Sequence, residues 1–154
     1  MMNGSNQTIT AQLLQQIRTG SSKERIDSAC SLRGLIRRSR PEMPVATLLP
    51  TLIQALEDDD DDVRECVAAC IEEMGPAGSQ AIPALISRIK AHHRYYFAEA
   101  AVGVGLAAVP ALTKLLDDPD ATVRRIAAWG LGSPQLSRGP QRHAATGAQH
   151  RLPG

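Results

Sequence analysis

Leu49-Pro50-Thr51-Leu52, Ile82-Pro83-Ala84-Leu85 and Val109-Pro110-Ala111-Leu112 are near-copies of one tetrapeptide. The first and third resume thirteen residues after the proline with the same pair, Val63-Arg64 and Val123-Arg124. Self-similarity at a period of a few tens of residues marks stacked supersecondary units, none of which can bury its apolar face alone. Such an object works through an extended surface rather than a pocket.

Each proline sits where an amphipathic helix is expected to begin, because the N–H it lacks has no intrahelical partner in the first turn. Behind them run Leu52, Ile53, Leu56; Leu85, Ile86, Ile89; and Leu112, Leu115, Leu116, all at helical spacing. Polar breaks follow at 57–62, 90–94 and 117–122, with Asp62 and Thr122 positioned to cap the next helix. The second helices then carry Val63, Val67, Cys70, Ile71 and Met74; Tyr96, Ala100, Gly103 and Val104; and Val123, Ala127, Gly130 and Leu131. Small residues at Cys70, Gly103 and Gly130 allow close helix approach, and Gly75 and Gly105 are expected to end their helices. An earlier pair fits residues 8–18 and 23–38, in a register ambiguous by one residue. The reading is an all-α, right-handed α-solenoid of about four helical hairpins over 8–132, with disorder expected at 1–7 and 133–154.

This pattern resembles HEAT repeats, in particular the short form of the phycobilisome-lyase type. The resemblance rests on Pro50-x-Leu52, the Asp-rich turn, Val63-Arg64, Val67, Cys70-Ile71 and Gly75, and on Pro110-x-Leu112, Asp117-Asp118-Pro119-Asp120, Val123-Arg124 and Ala127-Ala128. It covers 45–132 well and 8–40 loosely. The prolines are 33 and 27 residues apart, shorter than the ~40–47 of long HEAT and armadillo units. In the middle unit Tyr96-Phe97 replace Val-Arg and His92-His93-Arg94 replace the acidic turn. The resemblance implies that Arg64 and Arg124 pair with a turn acid of an adjacent repeat. It also implies a lyase-related alternative, in which Arg94, Tyr95 and Tyr96 would meet a bilin.

Composition excludes several classes. Of 154 residues, 43% are hydrophobic but only 3% aromatic, so Ala, Leu, Ile and Val must build the core. A net charge of +1 gives no general pull towards nucleic acid or an anionic membrane. Cys30, Cys66 and Cys70 make no disulfide framework, and no apolar stretch follows the first two methionines as a secretory signal would require. The longest uncharged apolar run, Ala100 to Thr113, is too short to span a membrane. A reducing cytoplasm is the expected setting.

Residues capable of chemistry have plain structural readings beside the functional ones. Glu57 and Asp58 to Asp62 could hold a divalent cation or a basic segment, but they lack the glycine and distal glutamate of a calcium loop; a solvated turn is expected. Cys66 and Cys70 share a helical face, yet no second Cys/His pair completes a zinc site, and core packing is expected. His92, His93, Arg94, Tyr95 and Tyr96 have no positioned partner for acid–base work and read as a divergent turn. No residue is assigned a catalytic role, and no cofactor or metal is expected. Arg33, Arg37, Arg38 and Arg40 exceed what a helix C-terminus needs and carry a nucleic-acid alternative, although the repeats are net acidic.

The proline register places Ala69, Val102 and Trp129 at one equivalent position of successive second helices. An apolar column ending in the only tryptophan suits a protein partner, because aromatic anchors dominate interface energy. The expected recognition face is therefore Glu65, Ala69, Glu72, Val102, Arg125 and Trp129, with packing of Trp129 against a further repeat or the tail as the competing account. A truncated member of a longer array is compatible with the repeat's abrupt end.

Overall fold

The computed structural model describes residues 3–137. Among the described residues nine α-helices run in order: α1 (Gly4–Thr19), α2 (Ser22–Ser39), α3 (Val45–Ala55), α4 (Asp61–Met74), α5 (Ile82–His92), α6 (Tyr95–Val104), α7 (Val109–Leu115), α8 (Ala121–Leu131) and the short α9 (Pro134–Ser137). No strand occurs among the described residues. Helices α1/α2, α3/α4, α5/α6 and α7/α8 form four hairpins whose second helices pack α2 on α4 on α6 on α8. This is an α-solenoid with one continuous core.

The core follows from the apolar stripes. Leu32 and Ile36 of α2, Val63, Val67 and Ile71 of α4, Phe97 and Ala101 of α6, and Val123 and Ala127 of α8 are all buried. The first helices close it with Leu14 and Ile17, Leu48 and Leu52, Leu85 and Ile89, and Leu112. Gly75 (φ 61°) and Gly105 (φ 115°) stop α4 and α6 in backbone conformations open to glycine but strained for other residues. The 3-10 segment Gly75–Ala81 then packs against α3, α4, α5 and α6.

Several expectations are corrected. Pro83 and Pro110 do lie in the first turn of α5 and α7, but Pro50 sits inside α3, which starts at Val45. The extra turn buries Leu48 and Leu49 and outweighs the backbone bond lost at Pro50. Helix α4 is capped by Asp60 and α8 by Asp120, whose carboxylates accept from the backbone N–H of Asp62 and Thr122; the expected caps are thus the receivers. Residues 4–7 are helical rather than disordered, because Asn3 caps α1 by accepting from the Asn6 N–H. Residues 134–137 form α9, whose Leu136 is buried and which packs on α6. The expectations for 1–2 and 138–154 lie outside the described residues.

Close approach has one measurable weak point. A Cβ at Gly103 would lie 2.3 Å from Glu72 Cγ and 3.2 Å from Glu72 Cα. The backbone contact cannot be relieved by a rotamer change, so α4 and α6 would have to separate. Gly103→Ala should lower unfolding free energy by about 1–3 kcal/mol in a urea titration, despite alanine's better helix propensity.

Candidate partner-binding face

The N-caps set a register that the prolines do not. Ser21, Asp60, Arg94 and Asp120 precede α2, α4, α6 and α8. Counting from them, Phe97 and not Tyr96 takes the place of Val63 and Val123, and all three are buried. Position nine holds Cys30, Ala69, Gly103 and Trp129; position five holds Ile26, Glu65, Glu99 and Arg125. Val102 aligns with Ala68 and is only 3% exposed, with a methyl facing Gly130 of α8. Its place on the expected face is therefore corrected: the middle unit is longer before α6 by one residue, and a one-residue slip turns a helix position inward.

The other face residues divide. Glu65, Arg125 and Trp129 are exposed, Ala69 is half-buried, and Glu72 is half-buried over Gly103. Trp129 is 44% exposed and meets the ring of Tyr95 (40% exposed) edge-on, centroids 5.4 Å apart. Tyr95 lies at the start of α6, two turns from the position equivalent to Trp129, so only the packed helices bring the pair together. Glu99 lies one turn along α6 from Tyr95 and is exposed, as Arg125 is one turn before Trp129. The result is an aromatic pair flanked by charge, a surface able to bury ring area while its rim stays solvated. Burial pushes the Glu72 carboxyl above its ordinary value, Arg33 opposing and Glu99 adding to the rise.

Most other candidates are engaged in the scaffold. Asp58 accepts from the Asp60 N–H and Asp118 from the Asp120 N–H, so each acidic turn is two nested side-chain turns. Arg64 and Arg124 donate to the turn carbonyl oxygens of Asp58 and Asp118 within their own repeats, rather than to a turn acid of an adjacent repeat as the resemblance implied. The equivalent Arg25 does both: it donates to Gly20 O and its guanidinium meets Asp58 of the next hairpin at 2.9 Å. Further along this edge Asp61 receives Tyr96 Oη at 2.8 Å and Arg94 at 3.3 Å, Lys90 meets Asp118 at 3.3 Å, and His93 meets Asp120 at 2.9 Å. Burial raises Asp58's affinity for a proton, but the Asp60 N–H and Arg25 outweigh it and hold the group below its usual range. The hydrogen bond from Tyr96 does the same for Asp61, while burial and Asp61 push the Tyr96 hydroxyl up to about 12.

The arginine cluster is organised by one acid. Glu73 of α4 draws Arg40 to 2.8 Å, Arg37 to 3.1 Å and Arg33 to 3.6 Å; Arg38 takes no part. Cys66 and Cys70 do not act together: Cys70 donates to Ala29 O, whereas Cys66 Sγ lies 3.4 Å from Cys30 Sγ. Among the described residues no group of three or more His, Cys, Asp or Glu side chains is placed to hold a metal ion. No described helix is long and apolar enough to cross a membrane. Two open grooves, of about 320 and about 280 Å³, lie along the first helices, at Ile17, Arg18 and Thr51 and at Ile53, Ala84 and Arg88, away from the aromatic pair.

Comparison with known families accounts for this arrangement. A family model described as HEAT repeats matches residues 10–105, and one described as HEAT repeat matches residues 108–133. No curated protein matches the chain.

Two measurements check the electrostatics. Arg25→Ala should destabilise by about 1–3 kcal/mol at neutral pH, because the half-buried Asp58 is then left without its cation. A carboxylate held below its unfolded value contributes stability above the unfolded value near 4 and loses it as pH falls through the lower folded one. The Arg25→Ala deficit should therefore shrink on acidification below about pH 4. Glu72 has the opposite sign: its raised value makes the ionised form unfavourable in the fold, so stability falls as pH rises through its titration. Glu72→Gln should gain on the order of 1 kcal/mol over the wild type at pH 7, a difference that disappears in acid.

Proposed function

The chain belongs to the HEAT-repeat family, whose members generally bind other proteins as scaffolds, and we propose that it is a non-catalytic adaptor binding a protein partner through its second-helix face. The observation that carries this reading is the exposed Tyr95–Trp129 pair. Glu65, Ala69, Glu99 and Arg125 extend the surface across α4, α6 and α8, with Glu72 at its margin. An exposed aromatic pair leaves apolar area in water, which a partner would cover at a gain of roughly 25 cal/mol per Å². Glutamates towards α4 and an arginine on α8 give the face a polarity along the stack, and a partner segment of opposite order would fit it. The setting we propose is cytoplasmic.

The finer readings have less support. A bilin site of the phycobilisome-lyase type would use Arg94, Tyr95 and Tyr96, of which Arg94 and Tyr96 are engaged by Asp61. Nucleic acid would use Arg33, Arg37, Arg38 and Arg40, of which Arg33, Arg37 and Arg40 surround Glu73. Neither reading is favoured by an observation of its own.

Affinity capture from cells with the wild type, Trp129→Ala and the first-helix surface control Gln54→Ala separates the outcomes. Truncating a central aromatic anchor should cost about 2 kcal/mol or more, roughly a thirtyfold loss of affinity for any partner held on this face. Trp129→Ala should lose the partner that Gln54→Ala retains, with all three proteins melting alike. Equal recovery by all three would sink the assignment.

A further inference from the structure

We infer that Cys30 and Cys66 are an oxidisable dithiol, a modification site that hydroperoxides convert to a disulfide tying the first hairpin to the second. Their sulfur atoms are 3.4 Å apart, one on α2 and one on α4, two helices otherwise joined by packing, hydrogen bonds and the ion pairs of Glu73. The pair differs in access: Cys30 is exposed and Cys66 half-buried. The third thiol is not a competitor, because Cys70 is fully buried and its S–H donates to Ala29 O. Access and geometry thus assign separate roles to the two sulfurs.

Cys30, as thiolate, attacks the distal oxygen of the hydroperoxide; the O–O bond breaks and the alkoxide leaves, taking the thiol proton as an alcohol. Cys30 is now a sulfenic acid. Cys66 sulfur attacks the Cys30 sulfur, the S–O bond breaks, and the departing hydroxide takes the Cys66 proton as water. Two thiols have lost two electrons and one hydroperoxide has gained them. Burial and the neighbouring Cys30 push the Cys66 thiol up to about 12, which keeps it protonated and inert until the sulfenic acid forms beside it. Proximity then matters more than nucleophilicity, since the second step is intramolecular.

The bond would close a loop of 35 intervening residues holding the whole of α3 and both of its turns. Cys30 also occupies the column of Ala69 and Trp129, so the disulfide would lie at the start of the proposed face; the inference holds whatever that face binds.

The full-length reduced chain is treated with an equivalent of hydrogen peroxide, quenched, and read by non-reducing peptide mass mapping and thermal melting. The expected product is a monomer with a Cys30–Cys66 cross-linked peptide, two hydrogens lighter, melting on the order of 5–10 °C higher until dithiothreitol is added. Cys30→Ser, an exposed change that leaves the core intact, should abolish both the cross-link and the shift; Cys70→Ala should keep the cross-link. Over-oxidation of Cys30 without the cross-linked peptide, a bridge between chains, or a bridge to Cys70 would each overturn the assignment.

Discussion

Every feature of this molecule depends on how closely one second helix can lie against the next. Helix α4 is packed on α2 on one side and α6 on the other, and its Val63, Val67, Cys70 and Ile71 are all fully buried. With a single phenylalanine in the chain, the core cannot rely on large rings and must gain its dispersion energy from short interhelical distances. At Gly103 a Cβ would run into Glu72, and at Gly130 a methyl of Val102 already fills the gap. A helix with a bulky side chain at either place would stack in another register or not at all.

The same closeness explains what sequence could and could not reveal. Helical spacing and three proline motifs were enough for eight helices in four pairs, because these are local properties. Position within a helix was not local. The proline register put Tyr96 beside Val63 and Val102 beside Ala69, whereas the turn after α5 runs to an N-cap at Arg94 and moves both by one residue. A signal was present: Phe97 is the largest apolar side chain in α6 and the natural occupant of the position filled by Val63 and Val123. The helix start at Pro50 erred for a related reason, since Leu48 and Leu49 are apolar at helical spacing ahead of the proline and their burial decided the boundary.

Charged partners were the least legible, for they join residues some 33 to 36 positions apart. Arg25 with Asp58 and Arg37 with Glu73 both link one hairpin to the next. The acidic run at 58–62 looks unfavourable as a string, yet its members are spent on different tasks: Asp58 and Asp60 shape the turn, Asp58 holds Arg25, and Asp61 gathers Tyr96, Arg64 and Arg94. The arginine-rich end of α2 has the complementary explanation in Glu73. Charge clusters that suggested a metal or nucleic acid in one dimension are, in three, mostly pairs along the two edges of the stack.

Beyond those clusters, large apolar side chains stay exposed at Tyr95 and Trp129, and also at Ile9, Leu106 and Leu116. Tyr95 and Trp129 touch each other edge-on and still leave 40% and 44% of their surface in water. The repeat offers a comparison within the chain, because position nine holds Cys30, Ala69 and Gly103 in the other second helices. Three small residues meet the steric demand of a column beside the next helix, and a tryptophan in the fourth departs from it. A tryptophan that the column does not require is open to the recognition role we propose, because aromatic anchors dominate interface energy.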